Sequence, residues 1–120
     1  MHLNHLNLSV SNARAAADFF EQYFGFSTQL HNPANTLIAM TNHDFDLVLQ
    51  EIGIDDQPPL YPPGFHLGFI LPDILQVQAT YLRLQVASVE GLTEIKTTSR
   101  GRQFFFVGPD GIMIEVGTHN

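Results

Sequence analysis

The sequence predicts an α+β fold of two paired βαβββ modules, which would form a curved mixed sheet with a cup-shaped site. Three observations carry that expectation. The chain repeats itself at an offset of 61 residues, each copy opens with a strand and a capped helix, and three strand-like segments follow each helix. The whole chain, residues 1–120, is read as one domain, with the first module over about 1–53, a loop over 53–64 and the second module over about 65–120.

The repeat begins at the first strand. His5-Leu6-Asn7-Leu8-Ser9-Val10 falls on His66-Leu67-Gly68-Phe69-Ile70-Leu71. Asn12 then falls on Asp73, and both are good N-caps because a short side-chain oxygen accepts from the first free backbone N–H groups of a helix. Beyond the caps, Ala13, Ala16, Phe20 and Tyr23 fall on Ile74, Val77, Tyr81 and Leu84, the spacing of a helix with one apolar face. Gly25 is the residue type favoured just past a helix end. In the first half the strands are expected near 27–31, 36–40 and 45–52, with turns at Asn32-Pro33 and at residues 41–44. In the second half they are expected near 92–99, 102–107 and 112–116, with Gly101 and Gly108-Pro109-Asp110-Gly111 as turns. Gly53 to Gly64, with four prolines, joins the halves.

Alternation along the strands sorts the side chains into two faces. Leu6, Leu8 and Val10 suit a helix-covered face, and so do Leu67, Phe69 and Leu71, and Ile112, Ile114 and Val116. The opposite face then receives His5, His66 and Glu115. Two imidazoles and one carboxylate on one face suit a single divalent ion (Mn, Fe, Ni or Zn) and leave coordination positions open for substrate. Laying residues 47–50 over 112–115 puts Gln50 where Glu115 sits, which makes Gln50 a candidate to orient a ligand or a bound water. Glu51 has the chemistry of a ligand but the opposite strand parity. His2, His31, His43 and His119 fall at termini or in turns and are expected to be solvated. Of the run Phe104-Phe105-Phe106, either the outer pair or the middle ring should face the cup, while Tyr61 and Phe65 beside the proline-rich loop are candidates to line its mouth.

Composition excludes several classes. Five basic residues against twelve acidic ones give a net charge of -7, which leaves no basic footprint for nucleic acid and mildly favours a cationic ligand. No apolar run has the roughly 18–20 residues of a membrane helix. The absence of cysteine removes disulfides and thiolate chemistry and, with no signal-peptide pattern at the N-terminus, gives a cytoplasmic expectation.

The opening His5-Leu-Asn-Leu-Ser-Val-Ser-Asn, the helix ending Phe20-Glu-Gln-Tyr-Phe-Gly25-Phe and the closing Phe106-Val-Gly-Pro-Asp110-Gly111-Ile-Met-Ile-Glu115 resemble signatures of the vicinal-oxygen-chelate superfamily, the glyoxalase, bleomycin-resistance and extradiol-dioxygenase group. The resemblance covers nearly the whole chain. It implies paired βαβββ modules around a metal held by His5, His66 and Glu115, and a small-molecule substrate that chelates through neighbouring oxygens. It also implies a homodimer with shared sites, in which His5 of one chain meets His66 and Glu115 of the other. The chemistries it implies are lyase or isomerase reactions, ring-cleaving dioxygenation, or addition of a thiol to an epoxide. Bacterial glyoxalase I adds a carboxylate where this chain is read to have Gln50, so the three-ligand pattern is closer to the fosfomycin-resistance enzymes and the dioxygenases. Those fosfomycin enzymes bring several basic residues for a phosphonate, a part that only Arg100 and Arg102 could play here. The alternative within the group is a metal-free protein that sequesters a drug or metabolite, as bleomycin-resistance proteins do.

Overall fold

Helix α1 (Ala13–Phe24) starts where Asn12 Oδ1 accepts from Ala15 N, and it stops at Gly25, whose φ of 72° closes the last turn. Glu51 adds a second cap, its Oε1 accepting from Ala13 N at 2.9 Å. That bond explains why its carboxylate belongs to the helix side of the sheet. Helix α2 (Ile74–Val86) starts the same way, with Asp73 accepting from Gln76 N at 2.9 Å. It ends without a glycine: Ala87 is still right-handed and the reversal falls on Ser88, at φ 55°.

The computed structural model describes residues 1–120, and the chain forms two compact units, Met1–Leu60 and Tyr61–Asn120. The first contains β1 (His5–Val10), β2 (Ser27–His31), β3 (Leu37–Asn42) and β4 (Phe45–Glu51), in the sheet order β1-β4-β3-β2. The second contains β5 (His66–Ile70), β6 (Lys96–Thr98), β7 (Gly101–Val107) and β8 (Met113–Thr118), in the order β5-β8-β7-β6. In each sheet the first and last strands pair in parallel and the other pairs are antiparallel. The βαβββ reading of both halves is therefore correct.

One strand departs from the expected range. Residues 92–99 were expected to be continuous, but Glu90 makes a lone bridge to Val107 and the regular ladder resumes only at Lys96. Between them Thr93 keeps the chain against β7, its N donating to the Phe105 carbonyl and its Oγ1 accepting from Phe105 N.

One face of each sheet is covered by its helix. In the first unit Ala13, Ala16, Ala17 and Phe20 of α1 pack on Leu8, Val10, Ile38, Met40, Leu47 and Leu49, all buried. Three alanines in the contact stripe let the helix lie close to the sheet, and the Phe20 ring meets Phe26 edge-on at 5.9 Å. In the second unit Val77, Thr80 and Leu84 cover Phe104, Phe106, Ile114 and Val116, with Tyr81 edge-on to Phe104 at 5.3 Å. The uncovered faces carry the candidate site residues. No helix is long and apolar enough to cross a membrane.

Candidate functional site

On the open face of the second unit, residues paired across β5, β8 and β7 fall into rows. His66, Met113 and Val107 form one row, Gly68, Glu115 and Phe105 the next, and Ile70, Gly117 and Gln103 the third. His66 and Glu115 are thus diagonal neighbours on adjacent parallel strands, with Nε2 3.8 Å from Oε2. Both side chains are partly exposed, so an ion or substrate can reach them without any core movement.

His66 is held in a definite tautomer. Its Nδ1 lies 2.9 Å from the carbonyl oxygen of Gly64, which can only accept, so Nδ1 carries the hydrogen and the lone pair is left on Nε2, toward Glu115. The ring also meets Phe105 edge-on at 5.8 Å, which settles the choice within the phenylalanine run: Phe105 faces the site, whereas Phe104 and Phe106 are core. Two donors each about 2.1 Å from a tetrahedral ion stand about 3.4 Å apart, so this pair would hold a metal after a shift of a few tenths of an ångström. Two of the three donors that the resemblance implies therefore stand close to the spacing a metal would need. A carbonyl bond to the rear nitrogen of a ligating histidine is also the usual way its orientation is fixed.

His5 repeats the arrangement in the first unit. Its Nδ1 lies 2.7 Å from Asn4 Oδ1, which leaves Nε2 bare on the open face. The structure brings His66 and Glu115 together, but no group of three His, Cys, Asp or Glu side chains that could hold a metal occurs in the chain.

The register corrects the position read for Gln50. With His5 matched to His66, the row Asn7, Val48, Ala39 corresponds to Gly68, Glu115, Phe105. Val48 therefore takes the place of Glu115, and Gln50 takes that of Gly117, one pleat further along. The error arose because 47–50 matches 112–115 in apolar pattern at an offset of 65, while the strands pair with an offset of 67. The added length is spread through the second unit, and one extra residue falls between β7 and β8, where Phe105 to Glu115 spans ten positions against nine from Ala39 to Val48. Gln50 is exposed, and its Oε1 accepts from Asn7 Nδ2 at 3.3 Å, so its side chain is steadied on the open face.

Beside Glu115 lies a concavity of about 200 Å³. Gly68, Ile70, Glu115 and Gly117 line it along β5 and β8, and Arg100, Gln103 and His119 close it on the side of the β6–β7 hairpin. The two glycines keep its floor bare. A Cβ at Gly68 would stand 3.4 Å from Glu115 Oε2, and one at Gly117 would meet Arg102 O and Gln103 Cβ at 2.8 Å. His119 was expected to be only solvated, and the glycines and Gln103 were not singled out. The one signal available in the sequence was that Gly68 and Gly117 stand at neighbouring positions on the same open face. Tyr61 and Phe65 stack at 4.9 Å within the second unit.

The profile of the Glyoxalase/Bleomycin resistance protein/Dioxygenase superfamily matches residues 2–116. Among solved structures, a possible glyoxalase from Bacillus cereus is 31% identical, with a TM-score of 0.78 over 98% of both chains. A lactoylglutathione lyase from Agrobacterium tumefaciens shares the fold at 17% identity, with a TM-score of 0.76 over 98% of this chain and 92% of its own. A glyoxalase/bleomycin resistance protein/dioxygenase from Nocardioides does so at 16% identity and a TM-score of 0.73, over 98% and 83%. No curated protein matches the chain in sequence. On the profile match and the Bacillus cereus relative, with the two βαβββ units and their open faces as the physical counterpart, the chain belongs to the Glyoxalase/Bleomycin resistance protein/Dioxygenase superfamily.

Proposed function

We propose that the chain is a cytoplasmic, divalent-metal-dependent enzyme whose small substrate chelates the metal through neighbouring oxygens. The observation that carries this reading is the pairing of His66 Nε2 with Glu115 Oε2 at 3.8 Å, the histidine locked from behind by the Gly64 carbonyl. His5, locked by Asn4 in the same way, is the third ligand. When bound, the metal supplies Lewis acidity toward a carbonyl or enediolate oxygen and lowers the pKa of coordinated water.

The chain's own residues do the positioning. The hydrogen bonds at Nδ1 turn Nε2 of both imidazoles toward the open face, and Glu115 contributes the negative charge that makes a cation welcome in an otherwise neutral row. Phe105 fixes the tilt of the His66 ring and keeps water from one side of it. Gln50, its Oε1 steadied by Asn7 Nδ2, turns its amide group to the open face, where it orients a polar group of the substrate or a bound water. Lyase, dioxygenase and thiol-transfer chemistry all begin from such a chelate.

The working unit in this proposal is a homodimer with shared sites, His5 of one chain completing the His66–Glu115 pair of the other. Intersubunit complementation tests this. His5→Ala and Glu115→Ala variants should each bind little metal. Unfolded together and refolded, a heterodimer of the two should regain one metal site, since one of its two sites keeps every ligand. If both ligands must come from the same chain, the mixture will stay as metal-poor as its parents. Strong metal binding by the parents themselves would refute the ligand set.

A further inference from the structure

The two helices take matching places in the repeat, but their outer faces are unlike. On α1 that face carries Arg14, Asp18, Glu21 and Gln22, with Arg14 ion-paired to both carboxylates. On α2 it carries Leu75, Ala79, Leu82 and Val86, of which the three larger side chains are 72%, 57% and 86% exposed. At about 100° per residue these four lie within about 60° of one another, opposite the buried Val77, Thr80 and Leu84. Their spacing of i, i+4, i+7, i+11 is the seam by which helices pack lengthwise on one another. Single exposed apolar residues are ordinary, whereas a continuous stripe marks a contact surface. Gln78 and Gln85 border the stripe on one side, and Gln76 and Arg83 on the other.

We propose that this stripe is an interface for a second copy of the chain, α2 packing antiparallel on α2 about a two-fold axis at Ala79. A contact of this symmetry needs a patch that is complementary to itself. Leu75 stands four residues before Ala79 and Leu82 three after it, so the axis sets Leu75 of one copy against Leu82 of the other, twice over. At the crossing two alanine methyl groups meet, and small residues there let the helices close on each other. The chain's other helix offers no such seam. Charge selects the same face. The first unit has seven acidic residues and one basic, the second five and four, and no acidic residue lies between Asp73 and Glu90. Copies of a chain of net charge -7 repel one another, and along α2 they approach without carboxylate facing carboxylate.

Three large side chains per copy fall short of the roughly 800 Å² per partner that a stable interface buries, so this association is reversible and depends on concentration. Helix α2 covers one face of its sheet while His66 and Glu115 stand on the other, so the contact leaves the candidate metal ligands open. It goes beyond the proposed function and does not depend on it. Joined to a shared-site dimer it links dimers, and without one it links single chains.

The absence of cysteine allows a direct test on the full chain. Ala79→Cys places one thiol on the proposed axis, where two Cα atoms come within the roughly 7 Å that a disulfide spans. In a glutathione redox buffer it should cross-link to a species of twice the chain mass, at least about tenfold faster than Gln22→Cys on the outer face of α1. EDTA should not change that rate, which separates this contact from the metal reading. Sedimentation of the unmodified protein over a concentration series should show self-association that strengthens with added salt, since salt screens the repulsion and leaves the apolar contact. Leu82→Glu should weaken that association at least about tenfold, with an unchanged circular dichroism spectrum. Cross-linking of Ala79→Cys no faster than that of Gln22→Cys, or self-association in Leu82→Glu equal to that of the unmodified protein, would each overturn the proposal.

Discussion

Replacing Asn4 with alanine removes one hydrogen bond and nothing else, which isolates the orientation of His5 from its presence. Asn4 Oδ1 stands 2.7 Å from His5 Nδ1, and both residues are exposed. The loss leaves Nδ1 to water and frees the ring to rotate and to exchange tautomers. Disrupting the partner behind a ligating histidine costs roughly 10–100-fold in metal affinity. Water competes for this exposed bond, so the effect belongs at the lower end, about tenfold or ~1.4 kcal/mol. Stability should change by less than about 0.5 kcal/mol, because the site lies ahead of β1 and outside the core. The assay is competition between the protein and a chromophoric chelator for Zn(II) or Mn(II), with His5→Ala beside it. Asn4→Ala should fall between the wild type and His5→Ala. An affinity equal to wild type, with His5→Ala weakened, would show that Asn4 does not position the ring. If all three bind alike, His5 is no ligand.

Other consequences follow from the same contacts. Glu51→Ala deprives Ala13 N of its acceptor and should cost about 1 kcal/mol, a fall of several degrees in Tm by circular dichroism, and Glu51→Gln should restore most of it. The two floor glycines should respond differently. Gly117→Ala drives a Cβ into the Arg102 carbonyl and Gln103 Cβ and should destabilise by about 1–3 kcal/mol, whereas Gly68→Ala crowds only the Glu115 carboxylate and should lower metal affinity with little change in urea midpoint. Glu21 is held below its ordinary value of 4.5 by the Thr28 hydroxyl first and by Arg14 after it, so its contribution to stability is present above that value and fades as pH falls through the depressed one. Glu21→Gln should therefore lose a little stability at pH 6 and almost none at pH 2, measured by urea unfolding.

Much of the fold was legible because it is written in local chemistry. Asn12 and Asp73 both cap as their side chains require, and the apolar stripes of α1 and α2 sit on the apolar strand faces that alternation selected. The same alternation put His66 and Glu115 on one face, and strand pairing then made them neighbours. Two features depended on information that a pattern match lacks. The place of Gln50 turned on how many residues separate the helix from the last strand, and the second unit adds length in several places, one residue of it between β7 and β8. The concavity beside Glu115 is made of what is missing, side chains at Gly68 and Gly117, together with residues from the hairpin and the C-terminal end that meet only once β8 lies between β5 and β7.

The most direct test of the account is metal content by elemental analysis of tag-free protein prepared without chelator, beside His66→Ala. The account predicts close to one Mn, Fe, Ni or Zn per chain in the wild type and almost none in the variant, with both equally folded. Metal-free wild type after incubation with each ion, or equal metal in both proteins, would contradict it.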